Sequence, residues 1–436
     1  MDFRSSKWQY SDLEIGEIVI MKIKSSNLVC VVVLFFTLFN ITACSTNTND
    51  AALDNKDLKP LTLVRGSTFS QGNENGYYEL VNYVDITGGF NIMYTDYASK
   101  SKVVLCSSSS CEHNTEACTG YIEGAPLRIF TINDKLIIFN YKLVDSNYVR
   151  SVLSADLNGE NRKILYTFDP AESESSEFFF DGKCIYFIMS RPVQTKDDLL
   201  YQQFLVKLNI ENGSLTDIIN LSEKYDNAYV NIYGSCVDEL VLSINSSDTK
   251  LKSIKVDGSN GKYVDDILNA EIAAKVFYGE NEYIASYTDH TFTRKNLISG
   301  KTAVLPWPND IEFNFINSTF GNIVDGIPMF SSHEYSRENN RETRLERMFL
   351  IDFDNGEINE LNLKYTFDGM SKPIVIAAET KNQFLVMNGI ENITHYYPAN
   401  DKGLTEDIVP TPQYALIDKS DFWRGVPNYE NIDYIG

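Results

Sequence analysis

One short pattern recurs along most of the chain: a turn built from Asp, Gly, Asn or Glu, followed at once by an apolar or aromatic run. It occurs as Asn133-Asp134-Lys135 before LIIFNY, Asp181-Gly182-Lys183 before CIYFIM and Val237-Asp238-Glu239 before LVLSI. It returns as Gly279-Glu280-Asn281 before EYIASY, Asp325-Gly326 before IPMFSS and Lys381-Asn382-Gln383 before FLVMN. After a variable polar stretch a second turn follows, as in SADLNGENRKILYTF (Ser154 to Phe168), VKLNIENGSLTDIINL (Val206 to Leu221) and MFLIDFDNGEINELNL (from Met348). Turn residues between apolar runs specify antiparallel hairpins, and Gly supplies the positive φ of a tight turn. Two hairpins make a four-stranded unit of roughly 40 to 60 residues, a period typical of solenoids and propellers.

A first unit around Gly88 to Cys106 and a last one ending near His395 to Val409 bring the count to about seven. The predicted fold is all-β, a β-propeller of about seven four-stranded blades over residues 61–436, with six or eight blades left open by the irregular first and last units. The 26 Tyr and 25 Phe suit sheets stacked face to face. The charged stretch YSRENNRETRLER (Tyr335 to Arg347) reads as a solvated hairpin excursion.

Ahead of the repeats lies an address. Lys22 and Lys24 precede the apolar run Leu28 to Phe39, which leads to Ile41-Thr42-Ala43-Cys44. That is the order of a signal peptide over 21–43. The apolar run is too short for a permanent span, since about 12 helical residues rise only about 18 Å. Met21 reads as the true start and residues 1–20 as a mis-assigned leader, because Asp2, Glu14 and Glu17 put acid where a signal should begin basic. Residues 44–60 are polar and cannot bury enough surface to order themselves, which makes them a flexible tether.

The net charge of −22, from 60 acidic and 38 basic side chains, leaves no basic footprint for a phosphate backbone, so nucleic acid is not an expected partner. Motifs for nucleotide loops, serine hydrolases and zinc proteases are missing. With four His in the chain, those outside the cluster described next are His290, His333 and His395, and the last two fall in strand-like sequence. Asp352-Phe353-Asp354-Asn355-Gly356 lacks the full spacing of a calcium loop and reads as a hairpin turn. No catalytic residue is expected, and the chain is expected not to be an enzyme; the alternative is an extracellular propeller enzyme acting on glycans or peptides.

The chemistry concentrates in CSSSSCEHNTEAC, where Cys106, Cys111, His113 and Cys118 form C-x4-C-x-H-x4-C. Three thiolates and one imidazole are the donor set of a closed tetrahedral structural zinc site. An exported protein also favours disulfides, so a bridge with one spare thiol is the competing reading. The cluster follows the outer-strand sequence KSKVVLC and precedes the inner-strand sequence LRIFTIN, which places it on an inter-blade crossover loop. Cys184 and Cys236, beside turns, read as buried small residues.

Ile-Thr-Ala-Cys followed by Ser45 resembles a bacterial lipobox, which implies lipidation of Cys44. The cluster after the first unit and the tail YALIDKSDFWRGVPNYENI (Tyr414 to Ile432) resemble propeller-type lipoproteins of Gram-positive anaerobes, with broader likeness to TolB-like and WD40-like repeats. The resemblance spans nearly all the mature chain and implies an extracytoplasmic propeller on the outer face of the cell membrane; it transfers no catalytic residue. Phe422, Trp423, Tyr429 and Tyr434 give the tail anchors for packing on the body or closing the ring. The expected role is a binding scaffold for a protein, peptide or glycan, held at the membrane by a lipid on Cys44, with a loop pinned by Cys/His and zinc as the candidate structural ion.

Overall fold

The second strand of each repeat is a run of apolar residues without alternation, as in Leu136, Ile137, Ile138 and Phe139, all four buried. Strands covered on both faces read this way. In the structure, a computed structural model, such strands sit in the middle of blades sandwiched between neighbouring blades. It describes residues 62–64, 70–81, 89–145, 147–175, 177–194, 199–245, 248–269, 272–309, 313, 316–338, 341–398 and 404–435. The leader, the signal, Cys44 and the tether lie outside the described residues.

The described residues form seven four-stranded antiparallel blades of a β-propeller, each a meander from inner to outer strand. Blade 1 holds Ser70–Gly72, Gly76–Val81, Gly89–Asp96 and Ser101–Val104. Blade 2 holds Ala125–Ile132, Lys135–Val144, Asn147–Asp156 and Lys163–Thr167. Blades 3, 4 and 5 begin at Phe178, Tyr229 and Ala273. Blade 6 begins at Ser318 and blade 7 at Val375, with the hairpin Lys364–Phe367 and Met370–Pro373 between them. The charged stretch from Tyr335 is part of the long hairpin Ile327–Glu338 and Arg341–Asp352 of blade 6, rather than an excursion between strands.

Buried apolar residues fall into one cluster per seam between adjacent blades. Between blades 2 and 3, Phe130, Phe139, Phe178 and Phe187 interleave, with Phe139 and Phe178 centroids 4.8 Å apart. Such rings bury large areas and favour tilted or edge contacts, so truncating one to Ala costs about 3–5 kcal/mol. The core is therefore a ring of seams rather than a single centre.

The ring closes through the tail. Glu430–Asn431 forms the outer strand of blade 7, and Asp433–Tyr434 then pairs in parallel with Ser101 and Lys102 of blade 1. Phe422 and Trp423 pack on Phe384 of blade 7. The last unit thus extends past the His395 to Val409 end expected from its turn signals, which mark the second-to-third hairpin of blade 7. On the axis side, Thr62–Val64 adds antiparallel to the inner strand of blade 3, with Thr62 opposite Phe180.

Candidate metal centre

The Cys/His segment interrupts a strand. Ser101–Val104 pairs with the lower half of Gly89–Asp96, and Tyr121–Glu123 pairs with the upper half of the same strand in the same direction. At the break, Leu105 N–H donates to Ile92 O and Ile92 N–H donates to Gly120 O. Residues 106–118 are therefore an excursion from the middle of blade 1's outer strand, on the rim of the propeller. The crossover placement expected from sequence is corrected: the crossover to blade 2 follows Glu123, because the strand resumes once the loop has returned.

The excursion brings together all four residues singled out by the sequence. The ligand atoms of Cys106, Cys111, His113 and Cys118 lie within 4.8 Å of one another. His113 Nδ1 is 3.3 Å from Cys118 Sγ, and Gly120 N–H donates to the same sulfur at 3.3 Å. A tetrahedron with Zn–S of about 2.3 Å has edges of roughly 3.8 Å, so side-chain shifts of at most about 1 Å bring the donors to the separations an ion needs. The donor set fits zinc or another soft metal. All five described cysteines are free thiols in the structure.

Blade 2 clamps the loop from behind. The Arg162 guanidinium donates to the carbonyls of Thr119 and Tyr121 and also to that of Gly159. Gly159 has φ of +80°, and a Cβ there would lie 2.3 Å from Thr119 O, so only Gly fits beneath the loop. From blade 1, Asn91 Nδ2 donates to His113 O at 3.0 Å, fixing a His held at φ of 55°. These partners hold the loop that carries the four residues against the sheet.

Metal-free, the thiols are inequivalent. Burial pushes Cys118 up to about 12, against a hydrogen bond from the Gly120 N–H. Burial opposes ionisation of Cys106 too, but hydrogen bonds from the Ser108 backbone and the neighbouring thiols outweigh it and hold Cys106 below the usual thiol range. Of these two thiols Cys106 is therefore the readier to ionise, and burial holds the proton on Cys118.

The remaining sequence candidates stay apart from this centre. His290 stacks on Trp307 with ring centroids 5.0 Å apart. His333 and His395 lie within the strands Ile327–Glu338 and Gln383–Pro398. Asp352 Oδ1 accepts the N–H groups of Asp354 and Asn355 at 3.0 Å, a hairpin turn as expected. Cys184 and Cys236 are buried in separate seams. Sequence reasoning missed Arg162, Gly159 and Asn91; the nearest signal was the turn SADLNGENR, whose Gly and Arg serve the loop as well as the hairpin.

No family model matches the chain, and no curated protein does. Among solved structures, an acylaminoacyl peptidase from Pyrococcus horikoshii is 10% identical with a TM-score of 0.46, over 85% of this chain and 52% of that one. A putative 6-phosphogluconolactonase from Bacteroides fragilis is 13% identical with a TM-score of 0.39, over 84% and 99%. An oligogalacturonate lyase in complex with manganese is 11% identical with a TM-score of 0.39, over 84% and 98%. This chain spans about half the length of the peptidases it matches. These findings correct the expectation that the chain is not an enzyme: structures similar to it include peptidases and a lyase. At these identities they assign no activity, and what the chain is similar to is a seven-bladed propeller of the kind found in TolB-like and peptidase proteins.

Proposed function

We propose that the protein is a lipid-anchored, extracytoplasmic propeller of the lipoprotein kind seen in Gram-positive anaerobes, serving as a binding scaffold for a protein, peptide or glycan. Its rim loop is pinned by zinc on Cys106, Cys111, His113 and Cys118. The observation that carries this reading is the convergence of three thiols and an imidazole within 4.8 Å on a loop clamped by the next blade. When bound, the ion contributes folding energy to the loop. The Leu28 to Phe39 run and Ile-Thr-Ala-Cys support the anchor.

The test is a metal and thiol count on residues 44–436 with Cys44→Ser, purified without chelator. About one zinc per chain, with all five thiols recovered after unfolding in chelator, is the expected result. No metal and two missing thiols would replace the ion with a disulfide. Radiolabelled palmitate should enter the wild-type chain and not the Cys44→Ser variant; equal labelling would remove the anchor.

A further inference from the structure

The loop that carries the four candidate ligands is tied down at both stems. Thr119 Oγ1 donates to Leu105 O at 2.8 Å, joining the residue after the cluster to the residue before it. Beyond that tie, Arg162 holds the carbonyls of Thr119 and Tyr121, and Lys142 of blade 2 bridges Glu116 at 3.1 Å and Glu123 at 2.6 Å. Asn91 holds His113 O from blade 1. All of these partners grip residues outside 107–112. Cys106 and Cys118 therefore sit next to fixed stems, and Cys111 lies on the stretch between them.

The three sulfurs differ in access. Cys118 is 2% exposed, and its sulfur accepts the Gly120 N–H and lies 3.3 Å from His113 Nδ1. Cys106 and Cys111 are only half-buried, so a small solute reaches them. All three ligand sulfurs fall within 4.8 Å of one another, a separation that side-chain rotation and a small shift of 107–112 close to a bond. The thiolates that bind a soft ion are also the ones that an oxidant attacks, and an oxidised sulfur no longer holds the ion. Thiols outside the cytoplasm meet oxidants from which cytosolic thiols are shielded.

From this geometry we infer that the cluster is a redox switch as well as a pin: hydrogen peroxide joins Cys106 to Cys111 and releases the zinc, leaving Cys118 reduced. The inference rests on the zinc reading of the loop and adds its regulation. One of the two accessible thiolates attacks a peroxide oxygen, giving a sulfenic acid and one hydroxide. The other thiolate then attacks the oxidised sulfur, forming the S–S bond and expelling a second hydroxide, so two electrons pass from the two sulfurs to the peroxide. Cys118 and His113 remain as ligands, too few to keep the ion. A dithiol reverses the step by exchange, taking up the bridge as its own disulfide and returning both thiols. Because the stems stay tied, the change is confined to the loop and the blades keep their packing.

The experiment uses the full chain, solubilised in mild detergent, reduced, loaded with zinc and freed of excess reagent. Hydrogen peroxide is added, zinc release is followed with a colorimetric indicator, and each thiol is assigned by mass spectrometry after alkylation with one reagent before reduction and a second after it. Zinc should leave in step with the loss of about two thiols per ion. Cys106 and Cys111 should carry the second label and Cys118 the first, and dithiothreitol with fresh zinc should restore the starting state. Zinc that stays bound in excess peroxide, a bridge that includes Cys118, or a loss of thiols that dithiothreitol does not reverse overturns the switch and leaves the zinc-pinned loop standing. A reduced chain that takes up no zinc before any peroxide is added overturns the pinned loop itself, and the switch with it.

Discussion

At Cys118 the thiol is 2% exposed, accepts the Gly120 N–H and touches the His113 ring. Cys118→Ser should weaken zinc at least about 100-fold in a chelator competition while the far-ultraviolet spectrum of the blades is unchanged. Zinc affinity should rise with pH between 6 and 8, because binding takes a proton from Cys118, which burial holds protonated. Other buried thiols and phenols make stability depend on alkaline pH, and Cys236 and Tyr233 are two of them. Burial pushes Cys236 from 9.0 to about 12, and Tyr233 from 10.0 to about 12. The native state keeps protons that the unfolded chain has lost, so stability is full below pH 9 and falls as pH climbs toward 12. Denaturant midpoints across that range check this, and Cys236→Ala should lessen the fall that begins at pH 9. The cluster was legible in sequence because its ligands fall within one stretch of chain. Arg162, Gly159 and Asn91 were not, since they reach it only through the packing of blade 2 and the third strand of blade 1.

At the scale of elements, the outer strand of blade 1 stops at Val104 and resumes at Tyr121 against the same partner. An insertion placed so leaves the sheet continuous. Replacing residues 106–118 by a short Gly-Ser link should therefore remove zinc binding and shift the Tm by less than about 5 °C, because the seam residues of blades 1 and 2 are untouched. Gly159→Ala keeps every ligand but drives a Cβ toward Thr119 O, at a position with φ of +80°. It should cost about 1–2 kcal/mol in urea unfolding and speed zinc release. The middle strands were legible because burial on both faces leaves them unbroken apolar runs. Ser70–Gly72 and Glu430–Asn431 were not, because such short strands are held by neighbours rather than by a pattern of their own.

For the molecule as a whole, the seam between blades 7 and 1 is tied by a blade 7 tyrosine reaching a buried ion pair of blade 1. Lys102 Nζ is 2.6 Å from Glu79 Oε2, with the two side chains 7% and 11% exposed, and Tyr414 Oη donates to Glu79 Oε1 at 2.7 Å. Glu79→Leu leaves a buried ammonium without its partner and should cost about 3–5 kcal/mol by denaturant unfolding; adding Lys102→Met should recover most of it. The number of blades was legible from the turn count, whereas the Glu79–Tyr414 contact at the closing seam was not, because its members come from distant parts of the sequence. Glu79 and Tyr414 are 335 residues apart. Six seams join segments that are successive in the chain, and such contacts form early because little chain must be gathered to make them. The seventh cannot form until the arc has bent back on itself, so folding is expected to begin at any blade but to finish at one place, where Tyr414 meets Glu79.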